Sequence, residues 1–421
     1  MALNSYPFTP VAAIYSSHSR SWRRRQARGG LVPAMELNFL SGEMPQPVAG
    51  LTFTRSSTAT YINAAGVMAQ AGINAPRFDF DPMTLQPLGL LIEGQSTNQI
   101  PANTVAPVLG DWPQTPASGG TTVYSVVNDA AALTAAGLTL GTTVLKVDNT
   151  AGVGAAYISS EAAAATGGLC VASAYLRATG ANAADVRISA DWASTTNPAP
   201  LAGGGGYVRR ATQPSTPPGA NAHRLSVEVP AGCIVYVALA QYELASDASS
   251  YIPTYGSAAT RAGETCTMPL GAWYNNAAGT VAMSIYKQAW VNVGGGNRGL
   301  AVFSANESWS NSIQLVYPGN VSTGQVNFEN YRAGAGSATN VGAFVTAGAC
   351  RVAASWGASA PVVSLRGAPV VAAPAYVLPI GANLLELGTN GGNINHINGH
   401  LRSFAYYPVA LPNATLQALS A

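Results

Sequence analysis

Short runs in which apolar and polar residues alternate recur along the chain, with turns between them. The clearest run is Asp185–Trp192, where the even positions are apolar and the odd positions are polar. Arg224–Val229 repeats this alternation before a proline, and Cys233–Tyr242 is a longer apolar run. Period-two alternation is typical of strands that bury one face. The sequence therefore predicts an all-β fold.

A second series of strand-like runs follows a turn-rich connector at Ser249–Gly256. These runs are Thr280–Tyr286, Leu300–Ser304, Ser312–Tyr317, Gln325–Asn330, Ala349–Trp356, Val362–Arg366, Asn383–Leu387 and His400–Tyr407. Their regular spacing, with Gly, Asn and Pro turns, is typical of antiparallel sandwiches. The only clear helix signal is the last element, which begins at Pro412-Asn413. We predict two antiparallel β-sandwich (jelly-roll) domains, an extended N-terminal arm and a short C-terminal helix.

Charge is sparse and unevenly distributed in this chain of 421 residues. Only 9% of the residues are charged and 48% are hydrophobic, whereas ordinary domains are about 25% charged. Five of the 20 Lys and Arg residues lie within Arg20–Arg28, and no acidic residue precedes Glu36. Removing these five leaves 15 basic residues against 18 acidic ones, a net charge of −3. We expect a cationic arm and a slightly acidic body that does not bind nucleic acid.

The sequence shows neither a membrane-spanning run nor a secretory signal. No run of about 20 apolar residues is present, so we expect no membrane insertion. The arginines at 20–28 resemble the charged start of a signal peptide, but Gly29–Pro33 is not the apolar stretch that must follow. The four cysteines form no CxxC pair, and we interpret them as buried thiols rather than a disulfide or zinc site.

Patterns for catalysis or metal binding are weak. The acidic residues after position 262 are Glu264, Glu307, Glu329 and Glu386, and no two are spaced as paired strand carboxylates. His396 and His400 have the spacing of helical metal ligands, but the glycines around them argue against a helix. We predict no enzymatic activity, no catalytic residues, no metal and no cofactor. An active site assembled in space remains the alternative.

One short segment alternates charged and aromatic residues. Arg77, Asp79 and Asp81 alternate with two phenylalanines and precede a proline. Two carboxylates at i and i+2 are ligands that Ca²⁺ accepts, but a calcium site needs six or more oxygens and nothing nearby supplies them. We therefore expect an Arg77–Asp79 ion pair followed by an Asp-Pro turn.

Three segments together resemble known families. Leu51–Asn98 contains TFTRSSTATY, PRFDFDP and GLLIEGQSTN, and it resembles a segment common in bacteriophage tail and head-fibre proteins. Gln241–Arg261, QYELASDASSYIPTYGSAATR, resembles the ending of a carbohydrate-binding-like jelly roll in such proteins. Gly399–Leu419 is similar to the last strand and helix of concanavalin A-like (laminin G-like) lectin domains.

The resemblance implies a structural protein of the virion: a fibre, spike or decoration component of the head or tail, assembled in the host cytoplasm. It implies a homotrimer, because similar phage fibres are usually trimeric. After an arm at 1–33 that carries none of the resemblance, the implied division is a β-rich segment at 34–100 leading into the first sandwich, a jelly roll at 101–262 and a lectin sandwich at 263–421. The alternatives are a glycan-degrading tail spike and a secreted cellular lectin.

The arm is a candidate for attachment to other virion proteins. Its candidate contact residues are Trp22, Arg23, Arg24, Arg25 and Arg28. Guanidinium groups make paired hydrogen bonds with carboxylates, and a tryptophan can fill an apolar pocket. The alternative is a solvated tail without a partner.

Host surface glycans are the second class of expected partner. Aromatic rings near loops can stack on a sugar ring, and amides suit hydroxyl groups. The candidate glycan-binding residues are Trp290, Trp309, Tyr331, Asn395 and His396. The alternative for the aromatic residues is packing in the core or in a subunit interface.

Overall fold

The computed structural model has an all-β fold, as predicted. It describes residues 31–45, 50–160, 168–190, 205–216, 223–287, 296–318, 325–343, 348–372 and 377–421. The candidate residues Trp22, Arg23, Arg24, Arg25, Arg28 and Trp290 lie outside the described residues. In the part of the chain that the structure describes, no helix is long and apolar enough to cross a membrane.

The strands fall into three groups along the chain. The first group is β1 (Met35–Asn38), β2 (Thr52–Thr54), β3 (Ala59–Ile62), β4 (Met68–Ala71), β5 (Phe78–Phe80), β6 (Pro87–Ile92) and β7 (Ser96–Asn98). The second is β8 (Gln114–Thr115), β9 (Gly119–Asn128), β10 (Thr143–Val153), β11 (Ala156–Ser159), β12 (Val171–Gly180), β13 (Arg187–Ser189), β14 (Val208–Ala211), β15 (Ser226–Val229) and β16 (Cys233–Glu243). The third is β17 (Ala259–Arg261), β18 (Thr265–Pro269), β19 (Gly279–Lys287), β20 (Arg298–Ala305), β21 (Ser308–Tyr317), β22 (Gln325–Arg332), β23 (Ala335–Ala343), β24 (Gly348–Trp356), β25 (Val362–Leu365), β26 (Val371–Ala372), β27 (Leu384–Leu387) and β28 (Gly399–Tyr407).

Two helices accompany the strands. Helix α1 (Ala130–Ala135) is short and was not predicted, because six residues carry little periodicity. Helix α2 (Asn413–Ser420) is the predicted last element, and Pro412 is its N-cap. Leu416 of α2 is fully buried beside Ala353 and Tyr407. Two 3₁₀ turns lie at Leu109–Asp111 and Ala183–Asp185.

The first sandwich is built from the second group of strands. Its larger sheet has the order β14-β12-β16-β10-β9, and its smaller sheet has the order β13-β15-β11-β8. The core between them is filled by small and branched side chains, among them Val147, Leu176, Val227 and Val235. All four cysteines of the chain are buried thiols that form no disulfide, as the sequence predicted.

The second sandwich consists of two packed sheets. One has the strand order β26-β25-β24-β19-β28-β6-β5, and β1 also pairs with β28 in this sheet. The other has the strand order β2-β18-β27-β20-β21-β22-β23. Aromatic rings dominate its core: Trp356 lies 5.7 Å from Phe303 and 6.0 Å from Tyr406, centroid to centroid. Trp273 and Tyr274 pack at the edge of this core rather than on an open surface.

The segment 34–100 differs from the predicted division. It was expected to lead into the first sandwich, but β1, β2, β5 and β6 hydrogen-bond into the sheets of the second sandwich. All six residues of β6 are buried, because this strand lies between β5 and β28. The first sandwich is thus an insertion, and the chain enters and leaves it through the paired strands β7 and β17.

The hairpin β3–β4 joins the two sandwiches. Met68 and Ile62 of the hairpin pack against Leu239 and Tyr251, which belong to the inserted sandwich and its exit connector. The Thr60 hydroxyl donates to the Tyr251 carbonyl at 2.5 Å. The hairpin therefore extends from the second sandwich onto the outer face of the first.

A buried cluster of ions lies where the insertion begins and ends. We call it the ion cluster; its members are Arg55, Arg77, Glu93, Arg261 and Glu264. The Arg77 guanidinium lies 2.6 Å from the Glu264 carboxylate and 2.8 Å from Glu93. Arg55 lies 2.7 Å from Glu264, and Arg261 lies 3.5 Å from Glu93. Residues from 55–93 and from 261–264, which are far apart in sequence, thus meet at one buried site.

The charged groups of the ion cluster stabilise one another in the ionised form despite their burial. Burial alone raises the pKa of Glu93, but Arg261 and Arg77, together with two hydrogen bonds from Ser250, lower it well below its usual range. Burial also opposes the charge on Arg77, and the two carboxylates overcome it and raise the pKa of Arg77. Both groups therefore remain charged in the folded protein.

The predicted Arg77–Asp79 ion pair is not formed. Arg77 is fully buried and its guanidinium faces Glu93 and Glu264. The Asp79 carboxylate instead accepts a hydrogen bond from the Ile62 amide at 2.7 Å and lies 2.9 Å from His400. The predicted turn is present: Asp81 accepts from the amides of Met83 and Thr84.

We expect Glu264→Gln to destabilise the fold by about 3–5 kcal/mol, because it leaves two buried guanidiniums with one carboxylate fewer. The control Lys146→Gln removes the Lys146–Asp148 pair, whose side chains are 26% and 24% exposed. That change should cost less than about 1 kcal/mol. Urea unfolding followed by circular dichroism measures both, and equal midpoints for the two variants would contradict the expected role of the ion cluster.

Candidate functional site

The outward face of the seven-stranded sheet in the second sandwich is polar and yet largely covered. Strand pairing places Glu386 of β27, Val302 of β20, Gln314 of β21 and Glu329 of β22 in one row across the sheet. Each of these four residues is at most 3% exposed. A buried polar row on the outer side of a sheet needs partners from the loops above it.

Glu329 is held entirely by neutral donors. The Asn297 amide donates to both carboxylate oxygens, at 2.7 and 2.8 Å. Asn327 donates at 3.2 Å and the Tyr331 hydroxyl donates at 3.1 Å. Burial, reinforced by the Glu329 charge, raises the pKa of Tyr331 to about 12, so its hydroxyl remains a donor. The carboxylate is therefore fixed in direction without a cationic partner among the described residues.

Trp309 stands above this polar row with its ring open to solvent. The side chain is 55% exposed, and the indole meets the Tyr331 ring edge to face at 5.6 Å. The Trp309 carbonyl accepts hydrogen bonds from Gln314 at 2.9 Å and from Ser312 at 2.6 Å. The backbone is thus anchored to the sheet while one flat aromatic surface stays exposed.

The loop before β28 closes the other side of the row. Asn390 donates to the Gln314 side chain at 2.8 Å and to the Asn297 carbonyl at 3.3 Å. The Gly392 amide donates to Glu386 at 2.7 Å. Gly392 has φ +75°, a left-handed backbone conformation that favours glycine.

These contacts define one connected surface, which we call the Trp309 patch. Its members are Trp309, Tyr331, Glu329, Gln314, Asn297 and Asn390. Burial, with some repulsion from Glu307, raises the pKa of the neighbouring Glu386. The Oδ1 atoms of Asn390 and Asn327 are buried without a hydrogen-bond partner among the described residues. The patch thus offers one exposed flat ring, and buried amides and a carboxylate hold that ring in place.

The structure brings two of the predicted site residues together in the Trp309 patch and places two others in the loop before β28. Trp309 and Tyr331 are in contact in the Trp309 patch. Asn395 is half-buried with φ +51°, and its carbonyl accepts from the Gly299 amide at 3.3 Å, so it shapes the loop. His396 is only 5% exposed and accordingly presents no surface to a ligand.

Sequence reasoning did not select Asn297, Gln314, Glu329 or Asn390 as ligand-binding candidates. The polar positions Ser312 and Gln314, two residues apart on β21, were the available signal of a polar outer face. Their grouping depends on the cross-strand register, which the sequence alone does not reveal. Among the described residues, no group of three or more His, Cys, Asp or Glu side chains is arranged to hold a metal ion.

Comparisons with known proteins give low similarity throughout. No family model and no curated protein matches the sequence. The CBM40 domain of the Ruminococcus gnavus IT-sialidase is similar with a TM-score of 0.29 and 12% identity, over 35% of this chain and 84% of that one. The Trypanosoma rangeli sialidase in complex with the inhibitor DANA is similar with a TM-score of 0.28 and 14% identity, over 37% of this chain and 25% of that one. The same sialidase in complex with sialic acid gives a TM-score of 0.29 and 10% identity, over 72% and 53%. We base no functional conclusion on TM-scores this low.

His396 supports the fold and should titrate accordingly. Its ring lies against Gly94 and Gly263, next to the ion cluster, and burial lowers its pKa from 6.5 to about 4. Between these values the unfolded chain binds a proton that the folded chain does not, so stability falls as the pH falls.

We expect His396→Gln to flatten this dependence by about 2 kcal/mol between pH 6.5 and pH 5. Urea midpoints measured across this range test the expectation, because the Glu93 carboxyl, whose pKa is lowered, loses its charge only at lower pH. An unchanged slope in the variant would show that His396 does not titrate in this way.

Proposed function

We propose that this chain is a non-enzymatic structural protein of a bacteriophage particle that displays a glycan-binding surface. The observation that carries the glycan-binding part is the Trp309 patch. An aromatic ring that is 55% exposed can stack on the apolar face of a sugar. The buried amide and carboxylate groups beneath the ring fix its position.

The patch is preorganised for such a ligand. Glu329, Gln314 and Asn390 are each at most 5% exposed and are tied to one another through Asn297 and the Trp309 carbonyl. Groups that are already ordered lose little conformational entropy when a ligand binds. The ligand would be a host surface glycan that lies across the rim of the second sandwich.

The virion part of the proposal is supported by the phage-like motifs and by what their residues do. Arg55, Arg77, Glu93 and Arg261, which belong to the phage-like segments, are all members of the ion cluster. The resemblance therefore covers the residues that hold the inserted architecture together. We propose a fibre, spike or decoration component that assembles as a homotrimer and attaches to other virion proteins through its arginine-rich arm.

We expect Trp309→Ala to weaken glycan binding about fivefold while leaving the thermal midpoint unchanged, since one stacked ring contributes about 1 kcal/mol. Tyr255→Ala is the matched control, because Tyr255 is 66% exposed but lies on the connector before β17. Biolayer interferometry with host lipopolysaccharide and capsule measures the dissociation constant of each variant relative to the wild type. Equal binding by both variants would show that the Trp309 patch is not part of the glycan-binding site.

The same incubation tests the alternative of a glycan-degrading spike. Wild-type protein is left with the purified host glycans, and the products are sized by chromatography. Intact glycan that is retained by the protein supports a binding protein. Shortened glycan would instead assign a depolymerase to this chain and would contradict the non-enzymatic part of the proposal.

Deleting residues 1–30 should give a folded protein that no longer joins the particle, because the arginine-rich arm is lost. Leu31 is retained in this variant, since it packs against the cluster that holds α2. Copy number per particle, measured by quantitative mass spectrometry, is the readout, and circular dichroism confirms the fold. Normal copy number in the variant would transfer the attachment role to the sandwiches.

A further inference from the structure

Sheet edges expose backbone N–H and C=O groups that can pair with another strand, and natural proteins protect them by keeping edge strands short or charged. Most edge strands of this chain follow that rule. Those with only two to four residues are β1, β2, β5, β8, β13, β14 and β26, together with the strands of the two-stranded sheets, β3, β4, β7 and β17.

Strand β9 breaks the rule. It lies at the edge of the five-stranded sheet, spans ten residues with the sequence GGTTVYSVVN, and contains neither a charged residue nor a proline. In the described part of the chain, β10 is the one strand that pairs with it. The outer edge of β9 therefore carries a long, uncharged row of backbone groups that other described strands leave unpaired.

The other long edge strand is shielded. Strand β23 has nine residues, but it lies against β25 and β26 of the opposite sheet and so forms the closed side of the second sandwich. Besides β10, β9 contacts the 3₁₀ turn at Leu109–Asp111. Of the two long edges, β9 is thus the one open to a partner strand.

We infer that β9 pairs in antiparallel orientation with β9 of a second copy of this chain, about a two-fold axis at Val123. Tyr124 and Val126 pack toward the core of the first sandwich, so the alternate residue Val123 lies on the outer face. Its side chain is 53% exposed. The contact joins two five-stranded sheets into one sheet of ten strands.

The side chains of β9 suit pairing with themselves. In this register Val123 faces Val123 of the second copy, Thr121 faces Ser125, and Thr122 faces Tyr124. No charge meets a like charge, and cross-strand pairs of β-branched residues are favourable. The opposite edge strand β14 is different, because Arg209 and Arg210 would meet arginines of the second copy. Self-pairing therefore selects β9.

The inference does not depend on glycan binding, and it adds a two-fold contact to any other assembly. A chain that is otherwise monomeric becomes a dimer. A homotrimer held by other surfaces would carry the contact between two trimers that face each other, which makes a hexamer. In both cases, loss of the β9 contact halves the mass of the assembly in solution.

The test is a charge exchange at Val123 in the full-length protein. Val123→Lys and Val123→Glu each place two like charges opposite one another, and we expect either variant alone to have half the wild-type mass by analytical ultracentrifugation at micromolar concentration. An equimolar mixture of the two variants should return to the wild-type mass. Val208→Lys is the control on β14, where Val208 is 42% exposed, and it should leave the mass unchanged.

Each remaining outcome overturns the inference. A wild-type protein that sediments as a single copy shows that β9 does not pair with itself. Wild-type mass in the Val123→Lys variant places the contact elsewhere. Variants that dissociate but do not recover on mixing show that Val123 does not face its own counterpart. Thermal unfolding of each variant verifies that it is folded.

Discussion

The architecture depends on the buried ion cluster more than on any single sheet. Three guanidiniums and two carboxylates share a site in which Arg55, Arg77 and Arg261 are at most 2% exposed. Such a site is stable only when every charge has a partner in the correct position, because an unpaired buried ion costs several kcal/mol. The planar fork of Arg77 contacts Glu264 with two of its nitrogens and bonds Ser250 with a third. The cluster therefore specifies that the strands of 34–100, the exit from the insertion and the start of β18 meet in one arrangement.

The sequence predicted the strands well and their partners poorly, and the ion cluster shows why. Alternation and turns located β16, β19 and β28 within a residue or two of their observed bounds, because one buried face leaves a period-two signal. The same signal carries no information about which strand lies alongside. Strand β6 pairs with β28, more than 300 residues later, so the second sandwich is discontinuous in a way that no local pattern reveals. The phage-like motifs contained most of the residues of the ion cluster, but the motifs do not show which of these residues pair with one another.

The Trp309 patch likewise combines residues that the local sequence identifies with residues that only the folded arrangement brings together. Trp309 and Tyr331 were predictable because aromatic residues near loop signals are conspicuous. The polar row beneath them arises only when β27, β20, β21 and β22 are placed in register. Asn390 then reaches Gln314 from a loop 76 residues away. A prediction from the sequence can thus identify the exposed ring but not the buried polar row that holds it.

Low charge content links the fold to the surfaces proposed for binding. Among the charged residues, the five of the ion cluster and also Glu243, Lys287, Glu329 and Glu386 are buried. The rest of the surface carries little charge, in line with the 9% composition of the chain. Such a surface has little electrostatic repulsion to keep copies apart, and hydrogen bonding and apolar contact decide what it binds. The two proposed contact sites are of this kind. Strand β9 is an uncharged edge strand, and the Trp309 patch presents an aromatic ring above buried amides.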